Sequence, residues 1–285
     1  MPDKPTINQA ETFRAALVQL CSARTVAPSV EQATYLIRLA HADGASYVLT
    51  PETTNVMELN RARLRDMISH EADCRILAHF KALAGELGIW LHLGSMTFRR
   101  DGGKIANRSL LITPDGAIAA RYDKIHMFDV DLAGGESYRE SKTFEAGTRA
   151  VVAALPWGRI GLTICYDLRF PALYRALAHA GADFLAVPSA FTKQTGRAHW
   201  RTLLRARAIE NGCFIFAAAQ GGTHETGRET YGHSLIVDPW GVVLAEAGVE
   251  PGVISAEIDP ARVGEARRRI PSLMHDRVFA GLDAT

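Results

Sequence analysis

Apolar residues follow two rhythms along this chain, and their order predicts its elements. The run Phe13-Arg14-Ala15-Ala16-Leu17-Val18-Gln19 reads as a strand, and Val30, Ala33, Ile37 and Ala40 then recur at helical spacing in a segment ending at Gly44. Ser46-Tyr47-Val48-Leu49-Thr50 reads as a short second strand, a long polar helical region runs through Leu87, and Ile89 to Met96 reads as a third strand. The opening order is therefore β-α-β-α-β.

The middle of the chain changes character. Ser109-Leu110-Leu111-Ile112 and Ala117-Ile118-Ala119-Ala120 flank the turn signal Thr113-Pro114-Asp115-Gly116, and a second such device spans Ile236 to Val243 around Asp238-Pro239-Trp240-Gly241. Between them Ile160 to Cys165, Phe184 to Val187 and Cys213 to Ala219 read as strands, separated by helices that include Pro171 to Ala180 and His199 to Asn211. This pattern predicts two similar halves, each α/β with a hairpin. No linker or low-complexity tract interrupts it, so residues 1–285 read as one domain with a core over about 12–270. The predicted class is α/β: a two-sheet sandwich covered by helices on both faces. The apolar region Ile254 to Ile270 and its short basic helix read equally as a domain-closing element or as a surface that packs on a partner subunit.

Composition narrows the function classes. The 285 residues carry 32 Lys plus Arg against 31 Asp plus Glu, and 47% are hydrophobic, which excludes a disordered or fibrous chain. A formal charge of +1 without a basic run offers no footprint for nucleic acid or an anionic membrane. No segment reaches the ~20 apolar residues that span a bilayer, and Met1 to Glu11 is too polar for a signal peptide, so a cytoplasmic location is expected. Cys21, Cys74, Cys165 and Cys213 are too widely spaced for a zinc site or a disulfide framework.

Three residues combine into a chemical set. Cys165 closes the strand Ile160 to Ile164 just before a helix that begins near Pro171, a junction that exposes a side chain and favours a thiolate; a buried inert cysteine is the alternative there. Glu52 follows the strand ending at Leu49, and Lys124 follows the strand Ala117 to Arg121. Taken singly, each reads as a surface charge or half of an ion pair. Taken together, a thiol, a base to deprotonate it and a cation to hold an oxyanion make nucleophilic catalysis without histidine.

Over nearly its whole length the chain resembles the nitrilase (carbon-nitrogen hydrolase) superfamily. The matching motifs are Pro51-Glu52, Tyr122-Asp123-Lys124-Ile125-His126-Met127-Phe128-Asp129 and Ile164-Cys165-Tyr166-Asp167-Leu168-Arg169-Phe170-Pro171. The resemblance implies a four-layer αββα sandwich of two mixed sheets, a Glu52-Lys124-Cys165 triad and a second glutamate, Glu140, that positions the amide and the lysine. Cys165-Tyr166-Asp167 stands where true nitrilases typically have Cys-Trp-Glu, so the chain looks most like the amidase branch that includes omega-amidase and deaminated glutathione amidase. Pro188-Ser189-Ala190-Phe191, Thr195-Gly196, Tyr231-Gly232-His233-Ser234 and Ala217-Ala218-Ala219-Gln220 fit that branch. Thr50 departs from the bulkier apolar residue common before Pro-Glu, which raises a question of local packing.

The implied reaction hydrolyses the carboxamide of a small carboxylate-bearing substrate to acid and ammonia through a Cys165 thioester. Glu52 acts as base, Lys124 and the Tyr166 N–H hold the oxyanion, and neither cofactor nor metal takes part. By resemblance Arg169 binds the substrate acid group, with Phe191 and Thr195 in the pocket; a structural ion pair of Arg169 with Asp167 is the competing reading. N-carbamoyl amino acids and nitriles remain as substrates of the same superfamily, and a noncatalytic scaffold is the reading of another class. A Cys-His protease using His126, His199 or His233 and a metal hydrolase both fit the motifs poorly. The partners implied are a small-molecule amide and further copies of the chain, as a homodimer or larger homo-oligomer.

Overall fold

Alternation along the first strand decides the layering. In the computed structural model, which describes residues 11–132, 135, 137–279 and 281, strand β1 (Phe13–Gln19) sends Phe13, Ala15 and Leu17 into one core and Ala16 and Val18 into another. The polar stretch 1–10 lies outside the described residues. The chain continues through α1 (Val26–Ala42), β2 (Tyr47–Leu49), α2 (Arg61–Met67), α3 (Arg75–Leu87), β3 (Trp90–Arg99), β4 (Ile105–Ile112) and β5 (Ile118–Asp123). A small ribbon, β6 (Asp129–Asp131) with β7 (Ser137–Arg139), precedes the second half. That half comprises β8 (Val151–Leu155), β9 (Gly158–Leu162), α4 (Pro171–His179), β10 (Phe184–Ala186), α5 (Lys193–Asn211), β11 (Phe214–Ala217), β12 (Gly221–Thr223), β13 (Glu229–Tyr231), β14 (Leu235–Val237) and β15 (Val243–Glu246). Strand β16 (Gly252–Ile258) and α6 (Ala261–Arg269) close it.

The halves share one topology. One six-stranded sheet has the order β16-β1-β2-β3-β4-β5 and the other, read in the same sense, β8-β9-β10-β11-β14-β15. Each has three parallel strands at its centre, an antiparallel strand on one flank and an antiparallel pair on the other. The two mixed sheets and their helices match the predicted α/β sandwich. Between the sheets lie Leu17, Tyr47 and Leu49 from one and Phe184, Phe214 and Phe216 from the other, while Ala33, Ile37 and Phe80 of α1 and α3, and Leu177, Trp200 and Leu204 of α4 and α5, cover the outer faces. Each of the leucine, isoleucine and phenylalanine side chains among them contributes about 1.5–3 kcal/mol on burial, which is why the strands read as near-continuous apolar runs. Among the described residues, no helix is long and apolar enough to cross a membrane.

Three boundaries differ from the sequence expectation. The polar helical region divides into α2 and α3, because Cys74 caps Leu77 N and starts a new helix after a 3-10 turn. Helix α5 starts at Lys193 rather than near His199, since the Thr192 hydroxyl accepts from Thr195 N and supplies the cap that apolar spacing does not reveal. Strand β3 runs on to Arg99 past an irregularity between Leu93 and Met96.

Gly94 sits in that irregularity, where a Cβ would collide with Thr50 O and Pro188 Cβ and lie 2.7 Å from Pro51 O. Only a residue without a side chain lets β3 pass between the loops that follow β2 and β10. Thr50 itself is buried with its hydroxyl satisfied by Thr54 at 2.7 Å and by Gly94 N at 3.1 Å, which answers the packing question raised by its polarity. Gly94→Ala is expected to destabilise the protein by about 2–3 kcal/mol in urea unfolding, whereas Gly248→Ala, which meets no atom within 4 Å, should stay within about 0.5 kcal/mol of the parent.

Candidate active site

The predicted residues emerge at the carboxyl ends of strands, where ligands collect in open α/β sheets. Glu52 follows β2, Lys124 follows β5 directly, and Cys165 follows β9 after Thr163 and Ile164. Glu140 opens a 3-10 turn after β7. Two sheets and a surface ribbon thus supply one cluster.

Lys124 Nζ lies 2.9 Å from Glu52 Oε1 and 2.8 Å from Glu140 Oε2. All three are largely excluded from water, with Lys124 only 2% exposed. Burial alone penalises the ammonium, but the two carboxylates outweigh it and hold Lys124 well above the ordinary lysine value, so it stays charged. Burial also acts to raise the Glu52 carboxyl; Lys124, with hydrogen bonds from the Cys165 thiol, Lys124 and Asn107, reverses the sign and keeps it below its usual range. Glu52 Oε2 further accepts from Ala190 N at 3.0 Å, a residue that follows β10 of the opposite sheet. The Cys165 thiol is driven up by burial and by the charge of Glu52, with Lys124 opposing. The resting cluster is a neutral thiol beside an ionised carboxylate.

Cys165 occupies the left-handed region at φ 51°, which only a few non-glycine residues adopt. Its N–H donates to Pro188 O at 2.9 Å, pinning the bend to the neighbouring strand's loop. Asp167 holds the other side: fully buried, it accepts from Ile164 N at 2.8 Å, Tyr122 Oη at 2.7 Å, His126 N at 3.0 Å and His126 Nδ1 at 2.7 Å. Tyr166, next after Cys165, lies in the first turn of the 3-10 segment Cys165–Arg169, where N–H groups have no intrahelical acceptor. That geometry suits an oxyanion.

Cys165, Glu52, Lys124, Glu140, Tyr166, Phe191 and Thr195 all line one cavity of about 320 Å³. Arg169 does not. Its guanidinium lies 5.6 Å from the Phe191 ring centre and 5.8 Å from that of Tyr166, and Nη1 is 3.3 Å from His199 Nδ1. The ion pair with Asp167 is absent, because both Asp167 oxygens are engaged by the elbow. His126, His199 and His233 also stay off the cavity wall, with His126 stacked 3.5 Å from Phe170 and bonded to Asp167. Among the described residues no group of three or more metal-ligating side chains comes together.

Several contributors escape sequence reasoning. Asn107, on β4, donates to Glu52 Oε1 at 2.9 Å and lies on the cavity wall with its own Oδ1 unpartnered. Gln220 donates to the Glu52 carbonyl at 2.9 Å, and Arg228 reaches the cavity from the β12–β13 hairpin. Single polar residues within apolar strands carry no spacing signal; only Gln220 falls in a stretch that resembles the amidases.

The sequence profile described as carbon-nitrogen hydrolase matches residues 14–268, which include every group of the cluster. The chain belongs to the carbon-nitrogen hydrolase family. This carbon-nitrogen hydrolase is 41% identical over 271 residues to deaminated glutathione amidase of Synechocystis sp. (strain PCC 6803 / GT-S), covering 94% of this chain and 98% of that one. Its fold superposes on the crystal structure of the C. elegans NitFhit protein with TM-score 0.88 at 38% identity, spanning 93% of this chain and 65% of that longer one. Saccharomyces cerevisiae Nit3, a member of branch 10 of the nitrilase superfamily, gives TM-score 0.84 at 28% identity over 94% and 97% of the two chains.

In this hydrolase the elbow depends on Asp167, whose removal strands four buried or part-buried donors. Asp167→Ala is expected to cost at least about 3 kcal/mol in thermal or urea unfolding.

Proposed function

We propose that this carbon-nitrogen hydrolase is an amidase that cleaves the carboxamide of a small carboxylate-bearing substrate, such as deaminated glutathione or the omega-amide of a 2-oxo acid, through a Cys165 thioester. The observation that carries the reading is that Cys165, Glu52, Lys124 and Glu140 share one cavity wall, with Lys124 Nζ 2.9 Å from Glu52 and 2.8 Å from Glu140, while burial and the Glu52 charge push the Cys165 thiol up and Lys124 holds Glu52 low.

The steps follow from those protonation states. Glu52 takes the Sγ proton as sulfur bonds to the amide carbon, and the carbonyl pair moves to oxygen, where Lys124 and the Tyr166 N–H hold the charge. Glu52 then returns the proton to the amide nitrogen as the C–N bond breaks. The leaving group is ammonia from a primary carboxamide and an amine from a substituted amide such as deaminated glutathione, which widens the ammonia product expected at first. Water enters, Glu52 removes its proton, and attack on the thioester carbon releases the acid and restores the thiol. Glu140 keeps the ammonium aligned, and Phe191 and Thr195 shape the acyl pocket. Arg169 acts on that pocket through the two rings it covers.

Cys165→Ala should abolish acid release from such amides while leaving the unfolding midpoint close to the parent; retained turnover would remove the thioester route. Glu52→Gln should lower kcat by roughly 10²–10⁴-fold. Because Glu52 is held low and Cys165 high, kcat/KM should stay flat through pH 8–9, where a free cysteine ionises, and should fall only when acid protonates Glu52 below the ordinary carboxylate range. A rise of activity with a midpoint near pH 8.5 would mean that free thiolate, not the Glu52-thiol pair, is the reacting form. Turnover of a simple nitrile or of N-carbamoyl amino acids in preference to amides would move the protein to another branch.

A further inference from the structure

A neutral amide sits among the charged groups of the site. Asn107 is buried on β4 and lines the cavity, and its main-chain oxygen accepts from Lys124 N at 3.0 Å. Its side-chain Nδ2 lies 2.9 Å from Glu52 Oε1 and 3.4 Å from Glu140 Oε1, so one amide reaches both carboxylates that flank the ammonium. Its Oδ1 is buried with no partner among the described residues. The two anions fix this orientation, because the reverse setting would turn Oδ1 onto both carboxylates, a worse repulsion than one acceptor left unbonded. The amide forgoes a bond of its own to give both N–H groups to the site.

The two oxygens of Glu52 are thereby made unequal. Oε1 accepts from Lys124 Nζ and from Asn107 Nδ2, each at 2.9 Å, which fills both of its lone-pair directions. Oε2 accepts from Ala190 N at 3.0 Å, and that same N–H reaches the Cys165 sulfur. One lone pair of Oε2 is therefore open on the side of the thiol.

We propose that Asn107 is a positioning residue of the thiol chemistry, holding Glu52 and Glu140 against Lys124 through one amide and leaving Oε2 of Glu52 to take the Cys165 proton. This deepens the amidase reading above and rests on it. In the first step the S–H bond breaks and an Oε2–H bond forms, the electron pair left on sulfur bonds the amide carbon, and the same proton later passes from Oε2 to the leaving nitrogen. Without the Asn107 N–H, the charged form of Glu52 loses a donor, so its carboxyl rises and Oε1 becomes a second, misdirected place for the proton. The titratable groups that act on Glu52 are Lys124 and Cys165, with Glu140 beyond the ammonium, and a substitution at Asn107 removes none of them.

The test compares the parent with Asn107→Leu, which keeps the shape of the side chain and removes the donor, on glutaramate, the monoamide of glutaric acid. The acid midpoint of kcat/KM, which reports the base of the free enzyme, should rise by about one to two pH units in the variant. On the neutral plateau kcat should fall roughly ten- to hundredfold with KM close to the parent's. Asn107→Ala, where water can stand in for the lost N–H, should move the midpoint the same way by less. Both variants should fold, since Glu52 Oε1 and Glu140 Oε1 each keep the Lys124 donor; if the leucine variant does not, the alanine variant decides. The Glu52 carboxyl is also followed without substrate, by 13C NMR of protein labelled at its glutamate carboxyls, with the signal assigned by its loss in Glu52→Gln. It should titrate higher in the Asn107 variants than in the parent. A side chain that only fills space beside Lys124 would lower kcat with the midpoint in place, so an unmoved acid midpoint, or a Glu52 signal that titrates as in the parent, overturns the proposal. A parent enzyme that hydrolyses no carboxylate-bearing amide defeats the amidase reading, and the carboxyl titration then still decides whether Asn107 holds Glu52 ionised.

Discussion

A lysine ammonium sealed from water between two carboxylates is the constraint around which the rest of the molecule is arranged. An isolated charge in that position would cost several kcal/mol, and an unmatched partner would cost nearly as much, so Lys124, Glu52 and Glu140 are tolerable only together. Burial first, and then the charge of Glu52 against the opposing Lys124, pushes the neighbouring thiol up and keeps it protonated beside that carboxylate. In the proposed mechanism, proton transfer from sulfur to carboxylate would leave the net charge unchanged, with Lys124 in place to meet the oxyanion.

Holding two buried ionic groups and a part-buried third in register demands rigid mounts, and strand ends supply them. Glu52 hangs from the middle strand of one sheet, and Ala190, which donates to it, follows the equivalent strand of the other. The sheet-to-sheet core of Leu17, Tyr47, Phe184 and Phe216 therefore positions the clustered groups as well as stabilising the fold. The left-handed backbone of Cys165 is offset by the bonds of its own N–H to Pro188 and of Asp167 to Ile164, Tyr122 and His126. Gly94 completes the mount by letting β3 run against both site loops.

Much of this was legible in the chain. Alternation in Phe13–Gln19 and the apolar runs Ile160–Ile164 and Phe184–Val187 report burial on both faces, and burial is a local property of side chains. The ordering of Glu52, Lys124 and Cys165, each just past a strand, was visible because a charged or sulfur-bearing residue at the boundary of an apolar run stands out in the sequence. The start of α5 was not visible, since a Thr192 hydroxyl capping one N–H leaves no periodic trace. Nor was the split between α2 and α3, which a single cysteine cap and a 3-10 turn decide.

The sequence by itself determined the α/β class, the two-half plan and the absence of any basic run, and it singled out Glu52, Lys124 and Cys165 as candidates, because each depends on residue type and order along the chain. Tertiary structure alone decided which polar groups meet. Asn107, Gln220 and Arg228 lie 55, 168 and 176 positions from Glu52 yet share its hydrogen-bond network or its cavity, while Arg169, four positions from Cys165, is turned aside by the rings of Tyr166 and Phe191. Hydrogen bonds and ion pairs act over about 3 Å of space, and only the packing of the two sheets converts distant positions in the chain into neighbours at that range.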